Sequence, residues 1–90
     1  MERDTIYVGR QKPVMAYVLA TLTALANAPT VNIKARGAAI SFAVDVAQIT
    51  IHRFARGARV AAIKLDTEQL PSEQGGTRNV STIDIELTTT

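Results

Sequence analysis

The sequence predicts a single α+β domain, a four-stranded mixed sheet with two helices on one face. Polar and apolar residues alternate in strand-like segments, apolar residues recur at helical spacing in two others, and the order is β-α-β-α-β-β. Ninety residues leave room for one hydrophobic core, so we assign one domain to residues 1–90. An apolar fraction of 47% excludes a disordered chain, and so short a chain often completes its core by oligomerising.

The first half of the chain is predicted as strand, helix and strand. Thr5–Val8 forms a short strand ended by Gly9, and Pro13 suits the first turn of a helix, where its missing N–H costs nothing. The helix cannot continue through Pro29, and Val31–Arg36 then alternates as a strand does. The apolar face of the helix is Val14, Val18, Leu22 and Leu25, widened by Met15, Leu19 and Ala26.

The second half is predicted as a helix and a hairpin. The helix runs from about Ala38 to Arg56, with Gly57 just past its end. Its main apolar face is Ile40, Val44, Ala47, Ile51 and Phe54, and further apolar surface comes from Ala43, Val46 and Ile49. A helix that is apolar on more than one face usually has a second partner. Val60–Leu70 and Asn79–Leu87 are strands joined by a polar Gly-Gly connection, which predicts a protruding hairpin.

One uncharged segment, Pro13–Pro29, imitates the core of a signal peptide. It is too short for a membrane span, which needs about 20 apolar residues. The acidic residues Glu2 and Asp4 before it argue against export, so we expect a cytoplasmic protein without a membrane partner. The absence of cysteine excludes a disulfide framework and a thiolate metal site.

Catalytic residues are hard to assemble from this sequence. Ser41, Asp45 and His52 share a helix face, but eleven residues separate Ser41 from His52, about 16 Å along a helix. Catalysis through hydrogen bonds needs about 3 Å. Asp84 and Glu86 alone would leave a metal ion under-ligated, and no Walker-type phosphate loop is present. We therefore predict no enzyme activity, no cofactor and no metal.

The distribution of charge favours a polyanionic partner. Nine basic and three acidic residues up to Lys64 give +6, whereas one basic and five acidic residues after it give −4. Two predicted helix N-termini have cations beside them, a combination that attracts phosphate. The residues concerned are Arg10, Gln11 and Lys12 before the first helix, and Lys34 and Arg36 before the second. Few aromatic residues are present, which disfavours a base-stacking platform.

Three blocks along the chain carry family motifs. Residues 9–20 read GRQKPVMAYVLA, residues 33–41 read IKARGAAIS and residues 78–85 read RNVSTIDI. They resemble, in the same order, the motifs G-K-K-P-x-M-x-Y-V, I-K-A-R-G-x-A-I-S and R-x-V-S-x-I-x-I of Alba, a family of archaeal chromatin proteins. This resemblance covers nearly the whole chain.

The resemblance implies a homodimer, joined largely through the second helix, that coats and condenses DNA and also binds RNA with little sequence preference. Its body would lie on the phosphate backbone, its hairpin arms would reach toward the minor groove, and it would be associated with the chromosome. The nucleic-acid-binding residues would be Arg10, Gln11, Lys12, Lys34, Arg36 and Arg78. The dimer or dimer–dimer interface would be Val46, Ile49, Arg53 and Phe54, and Lys12 would be the acetylated lysine.

The chain also departs from these motifs. One residue is inserted before Pro13, so either Arg10 or Gln11 occupies the place of the family's second lysine. The hairpin carries Glu68 and Glu73, which suits a paralogue that forms heterodimers with a more basic partner. Two alternatives stay open: an RNA-binding subunit of a ribonuclease P-type complex, and a small enzyme or metabolite-binding domain of the same architecture.

Overall fold

The computed structural model describes residues 3–90 and confirms the predicted fold. Four strands form one mixed sheet in the order β1-β2-β4-β3, in which only β1 and β2 are parallel. The elements are β1 (Arg3–Tyr7), α1 (Val14–Asn27), β2 (Thr30–Arg36), α2 (Ile40–Ile49), β3 (Arg59–Pro71) and β4 (Thr77–Thr88). Glu2, one of the two acidic residues taken as evidence against export, lies outside the described residues.

The core lies between the sheet and the two helices. The inward side chains of β2 and β4 alternate along each strand, as expected for a sheet covered on one face. They are Val31, Ile33 and Ala35 on β2, and Ile83, Ile85 and Leu87 on β4. No helix of the described residues 3–90 is long and apolar enough to cross a membrane.

Helix α1 buries a narrower stripe than the sequence predicts. Its buried residues are Val18, Thr21 and Ala24. Met15 and Leu19, predicted to widen the buried stripe, are exposed. Short side chains at Thr21 and Ala24 let the helix approach the sheet closely, which leaves the neighbouring longer side chains outside the contact.

The predicted second helix consists of three pieces. A 3₁₀ turn at Gly37–Ala39 precedes α2, and a π turn at Thr50–Phe54 follows it. The π turn is closed by the Ala55 N–H, which donates to the Thr50 carbonyl at 2.7 Å. Because a π turn holds more residues than an α turn, it rotates Phe54 away from the buried face, and 52% of Phe54 is exposed.

Two predictions for this helix are wrong. Val44, predicted on the buried face, is exposed, whereas Val46, predicted as interface, is fully buried in its own chain. The contact with the sheet is made by the small residues Ala43 and Ala47 together with Val46, which shifts the buried face by about one residue. Gly57 follows the end of the π turn, as predicted, and does so without a left-handed conformation.

Candidate nucleic-acid interface

Three polar segments meet at one edge of the sheet. The parallel strands β1 and β2 both end there, so the loops that lead into α1 and α2 start side by side. Strands β3 and β4 continue beyond Arg36, the last residue of β2, as a two-stranded hairpin. We call this edge the loop edge and residues 67–81 the arm. The predicted binding residues at the loop edge or on the arm are Arg10, Gln11, Lys12, Arg36 and Arg78, all exposed.

The loop between β1 and α1 is attached to the second helix. The guanidinium carbon of Arg10 lies 6.0 Å from the centroid of the Phe42 ring, the geometry of a cation–π contact. Phe42 belongs to α2, so the contact connects the two helix starts. Arg10 therefore has a defined position, and it carries its charge to the point where both loops meet.

The start of α1 leaves backbone N–H groups available. The Ala16 N–H donates to the Pro13 carbonyl at 3.0 Å, and in the described chain no side chain caps the helix. Unpaired N–H groups in the first turn of a helix attract anions, and the lysine just before Pro13 adds a mobile positive charge. Lys12 thus lies directly before an uncapped helix start, an arrangement that favours an anion.

The turn between β2 and α2 depends on a glycine. Gly37 has φ +58°, a left-handed conformation that side chains with a Cβ rarely adopt. A Cβ placed on it would lie 3.5 Å from Cγ1 of Val80, an ordinary contact, so backbone conformation rather than space selects glycine. From Arg36 the chain passes through the 3₁₀ turn into α2. The Arg36 side chain is exposed at the edge.

Lys34 lies on the face of the sheet that carries no helix, two residues before Arg36 on β2. Its Nζ lies 3.7 Å from Oδ2 of Asp84, and Asn32 Nδ2 donates to the other oxygen of the same carboxylate at 2.8 Å. A lysine paired in this way has part of its charge neutralised. Lys34 and Arg36 border the same shallow cavity on this face, so Lys34 differs from Arg36 by its ion pair and not by its position.

The same open face holds a shallow cavity of about 630 Å³. Tyr7, 73% exposed, stands beside Lys34 there, and Lys64 lies on the other side of Asp84. The sequence analysis did not select Tyr7 or Lys64. The alternation of Ile6 and Val8 with Tyr7 was the available signal, because it places Tyr7 on the face opposite the core.

Known proteins of one family are similar to this chain in sequence. The Alba family model matches residues 4–67, more than half of the chain. The chain belongs to the Alba family. It is 56% identical over 86 residues to the DNA/RNA-binding protein Alba of Nitrosopumilus maritimus, covering 94% of this chain and 90% of that one. It is 53% identical over 89 residues to the DNA/RNA-binding protein Alba of Picrophilus torridus, covering 97% of each.

The fold agrees with a solved Alba structure. Alba from Thermoplasma volcanium superimposes with a TM-score of 0.88 at 52% identity, covering 93% of this chain and 98% of that chain. The agreement extends over both helices and the four-stranded sheet that position the loop edge. The Alba-like arrangement of elements is thus established independently of any single motif.

The residues predicted for the dimer or dimer–dimer interface lie away from the loop edge. Helix α2 starts at the loop edge, so Arg53 and Phe54 in the π turn after it lie toward the opposite end. Both are exposed, whereas Ile49 is half-buried and packs against the core. Val46 offers no surface to any partner because the chain's own core already covers it.

An apolar surface that the sequence analysis did not assign to an interface lies on β3. Val60, Ile63 and Leu65 are exposed, and their register partners on β4 are the core residues of that strand. The three side chains therefore share the helix-covered face of the sheet, at the edge strand that neither helix reaches. We call this surface the β3 stripe.

The open face and the loop edge contain no arrangement typical of a metal centre. Within residues 3–90, no three His, Cys, Asp or Glu side chains come close enough to hold a metal ion. Ser41 and His52 lie on opposite sides of the α2 to π-turn boundary, as their separation in sequence predicts. What the described residues do assemble is exposed cations beside a helix start.

Proposed function

We propose that this protein binds double-stranded DNA and RNA along the phosphate backbone, without reading sequence, as a homodimer. The observation that carries the proposal is the loop edge, where Arg10, Lys12 and Arg36 stand exposed beside two helix starts. Phosphate contacts of this kind supply most of the affinity of non-specific binding. The Alba relatives, named as DNA/RNA-binding proteins at more than 50% identity, support it.

The arm extends the binding surface beyond the body of the protein. Five residues of β3, Thr67–Pro71, extend past the last residue of β2 and reach about 17 Å at the usual rise of a strand. A duplex resting on the loop edge therefore meets the arm as well. In this proposal the body holds the backbone and the arm follows the groove.

The homodimer is proposed on the β3 stripe together with the end of the second helix. Leu65 is 72% exposed and Ile63 58% exposed, and large apolar side chains grouped on a surface mark interaction sites. Ile49, which the resemblance assigns to the interface, is the last residue of α2, and we include it in the proposed interface. Val46 does not, since it is buried in the core.

A titration with salt tests the proposed binding. If each dimer neutralises about six phosphates, the logarithm of the association constant should fall with the logarithm of salt at a slope near −5. Equal-length duplexes of unrelated sequence, in DNA and in RNA, should give similar slopes. A slope near zero, or a preference above about a hundredfold for one sequence, would contradict backbone binding.

A charge placed on the β3 stripe tests the dimer. Leu65→Lys should give a folded monomer in sedimentation, because Leu65 is exposed in the single chain but would be buried between two chains. Ala62→Lys places the same charge on the opposite face of β3 and should leave the dimer intact. Wild-type protein that sediments as a monomer at micromolar concentration would refute the dimer.

Side-by-side packing of dimers on the duplex is proposed through Arg53 and Phe54. The Phe54 ring supplies exposed apolar area that the core does not use. Phe54→Ala should therefore reduce the cooperativity of binding and leave the affinity of a single dimer nearly unchanged. Coating of this kind condenses DNA and associates the protein with the chromosome in the cytoplasm.

Two further features of the function are proposed on chemical grounds. Acetylation of Lys12 would remove the charge beside the α1 start and weaken phosphate binding. Pairing with a more basic paralogue through the β3 stripe would add cations to a chain whose arm carries Glu68 and Glu73. Mass spectrometry of the native protein and of its co-purified partners tests both.

A further inference from the structure

The loop before α1 is held against the body of the protein as far as Arg10. The Val8 N–H donates to the Lys34 carbonyl on β2 at 2.8 Å. Gly9 lies against α1, where a Cβ placed on it would lie 3.5 Å from the Tyr17 hydroxyl. Arg10 follows directly, so its side chain starts from a backbone that contacts both β2 and α1.

The Phe42 ring gives the arginine side chain a surface to rest on. Phe42 is the third residue of α2, and its half-buried side chain packs against the core. The Arg10 guanidinium carbon lies over this ring, 6.0 Å from its centroid. Attraction to the ring face restricts a long side chain that would otherwise sample many rotamers in water. The ring therefore holds the guanidinium at the junction of the two loops.

This contact leaves the arginine charge available. An aromatic ring attracts a guanidinium without neutralising it, and the five N–H donors of the group lie in its own plane. Within residues 3–90 Arg10 takes part in no ion pair, whereas Lys34 lies 3.7 Å from the Asp84 carboxylate. Arg10 thus offers an unneutralised charge in a defined place.

The second cation of the same loop has no such support. Lys12 is exposed, and it makes no hydrogen bond, ion pair or ring contact with another residue of the described chain. Its side chain loses rotamer freedom when it binds a phosphate, and such ordering lowers affinity by about twofold to tenfold per side chain. For Arg10 the ring has already restricted the side chain, so binding loses less.

We propose that Phe42 is a positioning residue for phosphate binding, because its ring fixes the Arg10 guanidinium before a duplex arrives. The inference rests on the proposed function, since the loop edge must bind the backbone for the position of Arg10 to matter. Phe42 itself contacts no phosphate in this arrangement. The two cations of the loop then differ in kind: Arg10 is ordered in the free protein, and Lys12 becomes ordered on binding.

The central test removes the ring and keeps the charge. Phe42→Leu retains apolar bulk against the core but has no aromatic face. Affinity for one DNA duplex, measured by fluorescence anisotropy at several salt concentrations, should fall about tenfold for a dimer that binds through both loops. The salt slope should stay unchanged, since no cation is removed. Arg10→Ala removes the cation itself and should make the slope shallower by about two per dimer.

Two controls separate the ring contact from packing. Phe42→Tyr keeps the ring and should bind as the wild type does. Leu22→Ala truncates another half-buried side chain that packs against the same core from the middle of α1. It should lower stability in chemical denaturation and leave duplex affinity unchanged. In the Arg10→Ala background, Phe42→Leu should have no further effect on affinity, because the ring acts only through the arginine.

A spectroscopic measurement reports the contact even if Phe42→Leu does not fold. The ring current of an aromatic residue at position 42 should shift the Arg10 Nε–H resonance in free wild-type protein and in Phe42→Tyr. Addition of the duplex should then move this resonance in both proteins. An Arg10 resonance at the position of a free arginine in the wild type, or one that the duplex does not move, would contradict the inference.

Three binding results would also overturn it. Unchanged or tighter binding by Phe42→Leu would show that the ring does not prepare Arg10 for phosphate. An equal loss from Phe42→Leu with and without Arg10, or an equal loss in Leu22→Ala, would assign Phe42 to packing alone. In each case a steep salt slope for wild-type protein would leave the proposed backbone binding intact. Wild-type protein that binds no duplex would refute the proposed function and this inference together.

Discussion

The body of the molecule and its arm are held together by different contacts. In the body, two helices cover the sheet and bury the side chains of β2 and β4. In the arm, residues 67–81, the two strands pair only with each other. The cations of the loop edge belong to the body, whereas the arm carries Glu68 and Glu73 against a single cation, Arg78. From this difference we expect the body to supply binding strength and the arm to supply orientation.

The difference has an energetic basis. A two-stranded hairpin alone is marginally stable in water, so the arm depends on its continuity with the four-stranded sheet. Changes within the arm should therefore leave the stability of the body nearly unaffected. Phosphate contacts dominate the affinity of non-specific binding, and they depend on cations held in place by the folded body. The following variants test this division, beginning with the largest expected effect.

Removing the lysine beside α1 should weaken binding most. In Lys12→Ala each dimer loses two phosphate contacts, so the salt slope should become shallower by about two and affinity should fall roughly a hundredfold at 0.1 M salt. The loss should be the same for every duplex sequence. Titration of one duplex at several salt concentrations measures both quantities.

The control for this variant is Arg56→Ala, which removes one positive charge from an exposed residue beyond the π turn, far from the loop edge. It should change affinity only slightly. Equal losses in Lys12→Ala and Arg56→Ala would show that overall charge, and not the loop edge, determines binding.

The same substitution at two glycines compares body and arm directly. Gly37 (φ +58°) lies in the turn into α2 and Gly75 (φ +91°) lies in the turn at the tip of the arm. Gly37→Ala should lower the free energy of unfolding by about 1–2 kcal/mol, because the left-handed conformation is unfavourable for alanine and the body cannot relax it. Gly75→Ala should cost about 0.5 kcal/mol or less.

Chemical denaturation of both variants measures the difference. Alanine is strained at Gly75 as well, but the strands of the arm pair only with each other, so the turn at the tip can change conformation without disturbing the body. Equal losses of stability at the two positions would mean that the arm unfolds together with the body, which would contradict their separation.

The sequence predicted the fold because its apolar periodicities were consistent along the chain. Where it failed, side-chain size decided the outcome: Ala43 and Ala47 allow α2 to approach the sheet closely, so Val46 is buried and Val44 is not. A helical periodicity identifies a face to within about one residue, and it contains no information on a π turn such as the one that exposes Phe54.

The sequence predicted cations beside each helix start, and the structure brings the two groups together because the parallel strands β1 and β2 end at a common edge. The β3 stripe was not assigned to an interface, since Val60–Leu70 reads equally well as a strand covered by its own helices. Which strand lies at the edge of the sheet is a property of the topology. The pairing of Lys34 with Asp84 depends on register between strands fifty residues apart and has no local signal.

Adding a charge next to Lys12 should produce a smaller effect than removing one. Gln11 is exposed in the same loop, and Gln11→Lys restores the two adjacent lysines of the Alba motif. A new cation without a fixed partner still attracts the backbone, so binding should tighten by about threefold and the salt slope should steepen by less than one per chain. Gln11→Ala is the neutral control, and if it tightens binding as much as lysine does, charge is not the cause.

The smallest effect is expected from Arg78, the one cation of the arm. By strand alternation Arg78 shares the face of Glu68 and Asp66. Because two carboxylates on the same face offset its charge, Arg78→Ala should weaken duplex binding by about twofold or less and leave the salt slope nearly unchanged, in contrast to Lys12→Ala. The measurement is the same titration with both variants in parallel. A loss at Arg78 as large as that at Lys12 would show that the arm binds the backbone through its charged face, and the division of strength and orientation between body and arm would no longer hold.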